Sequence, residues 1–281
     1  MPLWFWPTAL LVVSFALGVV AVLGGVGGGV LYVPIVGCFM PFHLDFVRCA
    51  GLLVALAGSV AAGPGLLRRG LADLRLAMPM ALVASVSSIA GALIGLRLST
   101  RTVETAMGLT ILAIAAVMAL AGKSDYPDVA RSDRLSRAIG ITGAYVEEST
   151  GSVIVWRIRR SPLGLVLFAI IGLMAGMFGV GAGWANVPVL NLVLGTPLKL
   201  AVATSKFMIA VTDSTAAWVY INSGTSLPLV IIPSIAGIML GSVLGVRLLA
   251  VVRPRRVRLI VLVLLATAGT RALLKGLNIW R

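Results

Sequence analysis

Charged residues are scarce in this chain. Lys, Arg, Asp and Glu together make up 11% of the 281 residues, whereas about a quarter of an ordinary soluble domain is charged. Hydrophobic residues make up 59%, and the mean hydropathy is +1.08. A soluble fold of this length could not bury so much apolar surface. The composition therefore predicts an all-α integral membrane protein, with a lipid bilayer as the solvent for much of its surface.

Histidine and cysteine are nearly absent, which argues against several kinds of chemistry. The chain has one histidine, His43, and two cysteines, Cys38 and Cys49. It contains no HExxH, GxSxG, CxxC or Cys/His spacing, so we expect no enzyme, no metal and no cofactor. Both cysteines lie in apolar runs, where packing as a small hydrophobe is the main expectation. A sulfur-relay protein that handles thiosulfate through either thiol stays open as an alternative.

Acidic residues are also few, and the net charge is +14. A nucleic-acid-binding protein clusters Lys and Arg on one soluble face. Here these residues punctuate apolar runs, as loop charges of membrane proteins do, so we expect no nucleic-acid partner. The first residues lack the basic region of a signal peptide, and Trp4 and Trp6 are expected to anchor the chain at the membrane interface.

Apolar runs of two lengths alternate along the chain. A spanning helix needs about 20 residues. Six runs are close to that length: 47–67, 76–96, 103–121, 201–220, 227–250 and 257–274. Four shorter runs form two pairs, 8–40 and 163–195, each interrupted by a cluster of glycines. We therefore predict two glycine-broken helical hairpins and six spanning helices.

The two halves of the chain are related. A shift of 154 residues places Gly25, Gly27 and Gly29 on Gly179, Gly181 and Gly183, and the proline that follows each break coincides as well. This internal duplication predicts a first repeat at 1–121, a linker at 122–162 and a second repeat at 163–281. The linker carries seven basic and five acidic residues, so we expect it to be solvated, with a surface helix.

The distribution of positive charge selects a topology. If each broken pair is one span, the 23 Lys and Arg residues divide almost evenly between the two sides of the membrane. If each pair is a hairpin that enters and leaves on one side, 17 lie on one side and 6 on the other, as the positive-inside rule requires. The hairpin topology puts three spans in each half and so predicts inverted repeats. Both termini would lie outside, and the linker would be cytoplasmic.

Glycine-broken segments at matching positions in two inverted halves are a pointer to a transport site. A helix that starts at such a break leaves its first N–H groups free, and these groups favour an anion. The alternative interpretation is that the glycines merely allow helices to cross closely.

Three stretches carry a resemblance to a known family. GGVGGGVLYVP at 24–34, FGVGAGWANVP at 178–188 and AVATSKFMIAVTDSTAAWVYINSG at 201–224 resemble the TauE/SafE sulfite exporters. The resemblance covers most of the chain. It implies a secondary transporter in the cytoplasmic membrane that exports a small sulfur-containing anion such as sulfite, thiosulfate or an organosulfonate. Protons are the coupling ion expected from the family.

Carried onto this chain, the resemblance places substrate at the glycine-proline motifs and at an Ala-Thr-Ser element. These residues are Gly25, Gly27, Gly28, Gly29, Pro34, Gly179, Gly181, Gly183, Pro188, Thr204 and Ser205. The matching stretch of the first half, 49–51, lacks the hydroxyl groups, so more of the ligand contacts are expected in the second half.

Four further polar residues are candidates on their own chemistry. Tyr32 and Asn186 each stand two residues before a motif proline, and either could donate to an oxyanion or pack helices. Lys206 and Asp213 lie seven residues apart, on one face of a helix. Charges inside a membrane are costly and usually functional. Lys206 could attract the anion and Asp213 could take up a proton; otherwise Lys206 extends to the interface and Asp213 satisfies a neighbour.

One other class of protein stays open. An anion-selective channel could use the same breaks as a filter, and only a concentrative, proton-dependent flux would separate it from a transporter. An oligomer is compatible with all of these interpretations.

Overall fold

The protein is almost entirely helical. A computed structural model describes residues 4–24, 27–68, 72–120, 129, 132–146, 153–248 and 254–278. The first half contains α1 Phe5–Gly24, α2 Gly28–Phe39, α3 Leu44–Arg68, α4 Leu74–Arg97 and α5 Thr100–Leu120. The middle of the chain contains α6 Arg134–Ile139, β1 Thr142–Val146 and β2 Val153–Arg157. The second half contains α7 Ser161–Phe178, α8 Gly183–Pro188, a π-helical turn Val189–Val193, α9 Leu198–Asn222, α10 Pro228–Leu248 and α11 Pro254–Gly276.

Five of the described helices are long and apolar enough to cross a membrane. Their apolar segments are Phe5–Leu23, Leu44–Ala61, Leu74–Arg97, Ser161–Phe178 and Pro228–Gly245. Helices α5, α9 and α11 have 21, 25 and 23 residues, which are also lengths that suit a crossing. The prediction of an all-α membrane protein is confirmed.

The described helices lie close to the predicted runs. Each predicted span coincides with one helix, and five of the six helices begin two or three residues before the apolar run. The first turn of a helix can include polar residues, which lie outside the apolar run that follows. Helix α1 begins at Phe5, three residues before the first predicted hairpin at 8–40. Its 20 residues correspond to about 30 Å, the thickness of the hydrocarbon layer.

The linker contains more secondary structure than the single surface helix expected from its charged residues. Besides the expected short helix α6, strands β1 and β2 pair antiparallel, with Thr142 opposite Arg157. Trp156 and Ile158 are buried in the same apolar cluster as residues of α4 and α7. The hydroxyl of Ser161, the first residue of α7, donates to the Asp133 carboxylate over 2.9 Å. Burial opposes ionisation of Asp133, but hydrogen bonds outweigh it and lower the pKa of this carboxyl group.

Helices of one half pack on helices of the other. Helix α1 packs along α10, and α7 packs in the corresponding way along α4. Glycines make both crossings tight: Gly241 lies against the carbonyl of Phe15, and Gly176 against the carbonyl of Ser88. A side chain at either glycine would overlap the backbone of the facing helix. In lipid, the hydrophobic effect does not drive helices to associate. Small residues of this kind let the helices approach closely, so that van der Waals contacts hold them together.

Two matching pairs of helices run antiparallel. The start of α3 meets the end of α9, because Arg48 lies over the Tyr220 ring at 5.0 Å. The start of α5 meets the end of α11, where Lys275 Nζ lies 2.8 Å from Glu104 Oε1. If the two halves were related by a two-fold axis along the membrane normal, each helix would run parallel to its counterpart. An axis in the membrane plane makes each helix antiparallel to its counterpart. The repeat boundaries and the inverted arrangement stay predictions, and these directions agree with them.

Candidate functional site

The two glycine breaks meet in the interior of the protein. A Cβ atom on Gly27 would lie 3.2 Å from the Cα of Gly183, so the two backbones are in contact. A Cβ atom on Gly29 would lie 2.7 Å from the carbonyl oxygen of Val180. Gly28, the first residue of α2, packs against Ile238, midway along α10. The breaks therefore come together at about half the length of the spanning helix α10.

The second break turns sharply at glycines. Gly179 and Gly181 have φ angles of +69° and +72°, in the left-handed region that a residue with a side chain rarely adopts. A side chain on Gly181 would also collide with the carboxylate of Asp213, whose Oδ2 lies 2.6 Å from the ideal Cβ position. Asp213 Oδ1 accepts a hydrogen bond from the backbone N–H of Ala182 over 3.3 Å. Asp213 therefore satisfies the backbone where the chain re-enters a helix.

The other side of the second break is held by residues that sequence patterning did not select. The fully buried guanidinium of Arg48 donates to the Met177 carbonyl and, over 3.3 Å, to the Gly95 carbonyl. It also pairs with Asp45 at 2.7 Å. The Tyr220 hydroxyl donates to the Gly176 carbonyl over 2.9 Å. The carbonyl groups that the end of α7 leaves unpaired are thus bound by side chains from α3 and α9.

The first hairpin is satisfied differently. Tyr32 is fully buried, and its hydroxyl lies 2.8 Å from Ser234 Oγ on α10. Because Ser234 donates its own hydrogen to the Val230 carbonyl, Tyr32 is the donor of this pair. Pro34 lies within α2. Pro188, its counterpart, ends α8 and is followed by the π-helical turn. Gly25 lies outside the described residues.

The Ala-Thr-Ser element lies away from the breaks. Thr204 and Ser205 are buried near the start of α9, and Thr204 Oγ1 accepts from the backbone N–H of Asp73 over 3.4 Å. The break itself is level with Ile209, whose side chain touches Gly183, more than one helical turn further along. Thr204 is therefore placed at the first turn of α4, and the contacts described do not bring it to the glycines.

Lys206 and Asp213 have different surroundings. Asp213 is completely buried beside the break, while Lys206 is partly exposed, one turn before Ile209. Lys206 forms none of the ion pairs found among the described residues. The expectation that Asp213 satisfies a neighbour agrees with its bond to Ala182. Cys49 is fully buried, and the side chain of Cys38 lies outside the description.

Comparisons with known proteins agree over nearly the whole chain. The model of the family described as "Sulfite exporter TauE/SafE" matches residues 10–272. A curated relative, the "Probable membrane transporter protein YunE" of Bacillus subtilis (strain 168), is 22% identical over 275 residues, which cover 95% of this chain and 97% of that protein. No solved structure matches. Together with the apolar helices, these matches show a multi-pass membrane transporter.

Arg48 generates a prediction about stability. Replacing Arg48 with Met should remove the guanidinium that pairs with Asp45 and donates to the carbonyls of Gly95 and Met177, and should lower the free energy of unfolding by about 3–5 kcal/mol. The matched control is Arg101→Met, because Arg101 is exposed on α5. Thermal unfolding in detergent compares the two variants with the unmodified protein. Equal melting temperatures for both variants would contradict the assigned role of Arg48.

Proposed function

The chain belongs to the sulfite exporter TauE/SafE family, and on that premise we propose that it exports a small sulfur-containing anion, such as sulfite, thiosulfate or an organosulfonate. The observation that carries this proposal is the contact between Gly27 and Gly183. Two breaks from different halves form one junction, and glycines at a junction let an anion approach the backbone without side-chain obstruction. The substrate class comes from the family.

The packing of the halves supports transport by alternating access. Helices α3 and α9 are antiparallel neighbours, and each broken hairpin packs its first helix on the opposite half. In transporters with inverted repeats, one unit rocks against the other about a central site. In this proposal, motion of the two hairpins about the Gly27–Gly183 junction exposes the anion to each side in turn.

We also place the protein in the cytoplasmic membrane with both termini outside. The support is the charge bias of 17 basic residues against 6 between the two sides. Single cysteines in a variant without Cys38 and Cys49 test this placement. An impermeant maleimide should label Asn222→Cys in intact cells, and should label Ala138→Cys in the linker only after the cells are permeabilised. The reverse pattern would refute the placement.

Anion binding is tested first with purified protein. A ligand that binds only the folded state raises its stability, by about 2.7 kcal/mol at 100 times Kd. Sulfite, thiosulfate, sulfoacetate and taurine are compared with sulfate, phosphate and chloride. We expect a shift of the melting temperature with at least one sulfur compound and a smaller shift in Lys206→Ala, because Lys206 would attract the anion.

The matched control for this assay is Lys275→Ala, which breaks the pair with Glu104. This variant should melt at a lower temperature but show the full ligand shift. If no sulfur compound stabilises the unmodified protein, the substrate class is wrong. If Lys206→Ala responds fully, Lys206 has no part in binding.

Asp213 carries the proposal of proton coupling. Its Oδ2 is buried beside the junction and has no hydrogen-bond partner among the described residues, so a proton could bind there as the anion arrives. Asp213→Asn keeps the shape of the side chain and an acceptor for the N–H of Ala182. In proteoliposomes, transport by this variant should no longer respond to an imposed pH gradient, while the ligand shift persists. An unchanged response to the gradient would remove Asp213 from coupling.

A further inference from the structure

Unpartnered polar atoms accumulate around the second break. A buried polar atom almost always has a hydrogen-bond partner, so each exception requires an explanation. Six atoms without a partner among the described residues occur in the second hairpin and in the parts of α9 and α4 next to it: Trp184 Nε1, Asn186 Nδ2, Asn186 Oδ1, Thr212 Oγ1, Asp213 Oδ2 and Ser85 Oγ. Asn186 is 1% exposed and Thr212 is completely buried.

These residues are joined by contacts already described. Asp213 binds the backbone immediately before α8, and Trp184 and Asn186 lie on α8. Thr212 precedes Asp213 on α9, and its carbonyl accepts from Ser88 on α4, one turn beyond Ser85. Helix α9 packs on both α8 and α4, so the unpartnered atoms lie on three elements that are linked through α9.

The corresponding positions in the first half either have no polar side-chain atom or have one with a hydrogen-bond partner. With the 154-residue shift, Trp184 corresponds to Val30 and Thr212 to Gly58, neither of which has a polar side chain. Asn186 corresponds to Tyr32, which is bonded to Ser234. Asp213 corresponds to Ser59, whose hydroxyl donates to the Ala55 carbonyl over 2.8 Å. A duplication accounts for the glycine break that both halves contain. It does not account for the unpartnered polar groups, which the matching positions of the first half lack.

We propose that the Trp184 indole N–H and the Asn186 amide N–H are the donors that recognise the transported anion, with the Thr212 hydroxyl as a third. The inference rests on the proposed function and names the recognition chemistry of its site. The indole nitrogen can only donate, while an amide and a hydroxyl also offer a donor hydrogen. Several neutral donors suit an anion with two or more acceptor oxygens, so the site selects an oxyanion over a halide.

Isosteric variants test the proposal with sulfite and thiosulfate as probes. Asn186→Leu, Thr212→Val and Trp184→Phe remove the polar atoms and keep most of the volume. Asn186→Leu and Trp184→Phe should each weaken binding of the probe at least tenfold. Asn186→Leu and Thr212→Val should leave the melting temperature of the ligand-free protein unchanged or higher, because an apolar group replaces an unsatisfied one.

Two matched controls come from the chain itself. Trp218 is 64% exposed, so Trp218→Phe should bind the probe normally and keep any change of tryptophan fluorescence on binding, which Trp184→Phe should lose. Lys275→Ala breaks a satisfied pair with Glu104, away from the breaks, so it should lower the melting temperature without changing the affinity.

The outcomes separate this inference from the proposed function. If the unmodified protein binds a probe and the Trp184 and Asn186 variants bind it equally well, the inference is wrong and the proposed function stands. A lower melting temperature for ligand-free Asn186→Leu, similar to that of Lys275→Ala, would show a structural role and overturn the inference. If neither probe nor any other sulfur compound binds the unmodified protein, both proposals fail.

Discussion

The structure depends on satisfying a backbone that is interrupted inside the membrane. Water and lipid cannot pair the free carbonyl and N–H groups at that depth, so side chains must do so. At the second break, Tyr220 and Arg48 bind the carbonyls of Gly176 and Met177, and Asp213 binds the N–H of Ala182. These side chains come from α3 and α9, the two helices that meet at the centre. The break can therefore exist only where the halves are assembled.

Close helix crossings place those side chains within reach. Where α7 passes α4, Gly91 touches the carbonyl of Leu173 and Gly95 touches that of Met177. A larger residue at Gly95 would push the end of α7 away from the guanidinium of Arg48, which lies at the same point. The glycines along the helices and those at the breaks thus have linked roles. The glycines at helix crossings set a short distance between the helices. That distance lets side chains of one helix bind the irregular backbone that the glycines at the breaks allow.

The sequence predicted the spanning helices and the two glycine breaks, because these features depend on the length of apolar runs and on a repeated motif. Apolar length located the spanning helices, and the 154-residue shift paired the two breaks that the structure brings into contact at Gly27 and Gly183. The role of Arg48 could not be predicted in this way, because an arginine near a helix end also fits the membrane interface. Its partners Gly95 and Met177 are distant in sequence and become neighbours only when the helices cross. The paired strands Thr142–Val146 and Val153–Arg157 were missed because the linker was judged by its charged residues, which outweigh the short apolar stretch around Trp156.

The two hairpins occupy matching positions in the chain but differ in chemistry. In the first, Tyr32 is paired with Ser234, and Val30 occupies the position that matches Trp184. In the second, Asn186 is buried and has no hydrogen-bond partner in the part of the chain that the structure describes. Leaving an amide unsatisfied costs about 1–3 kcal/mol, and an apolar residue of the same size would avoid that cost. A protein assembled from two related halves needs only one of them to bind a ligand. The other can be optimised for packing, so the unpaired groups of the second hairpin fit a binding role better than a structural one.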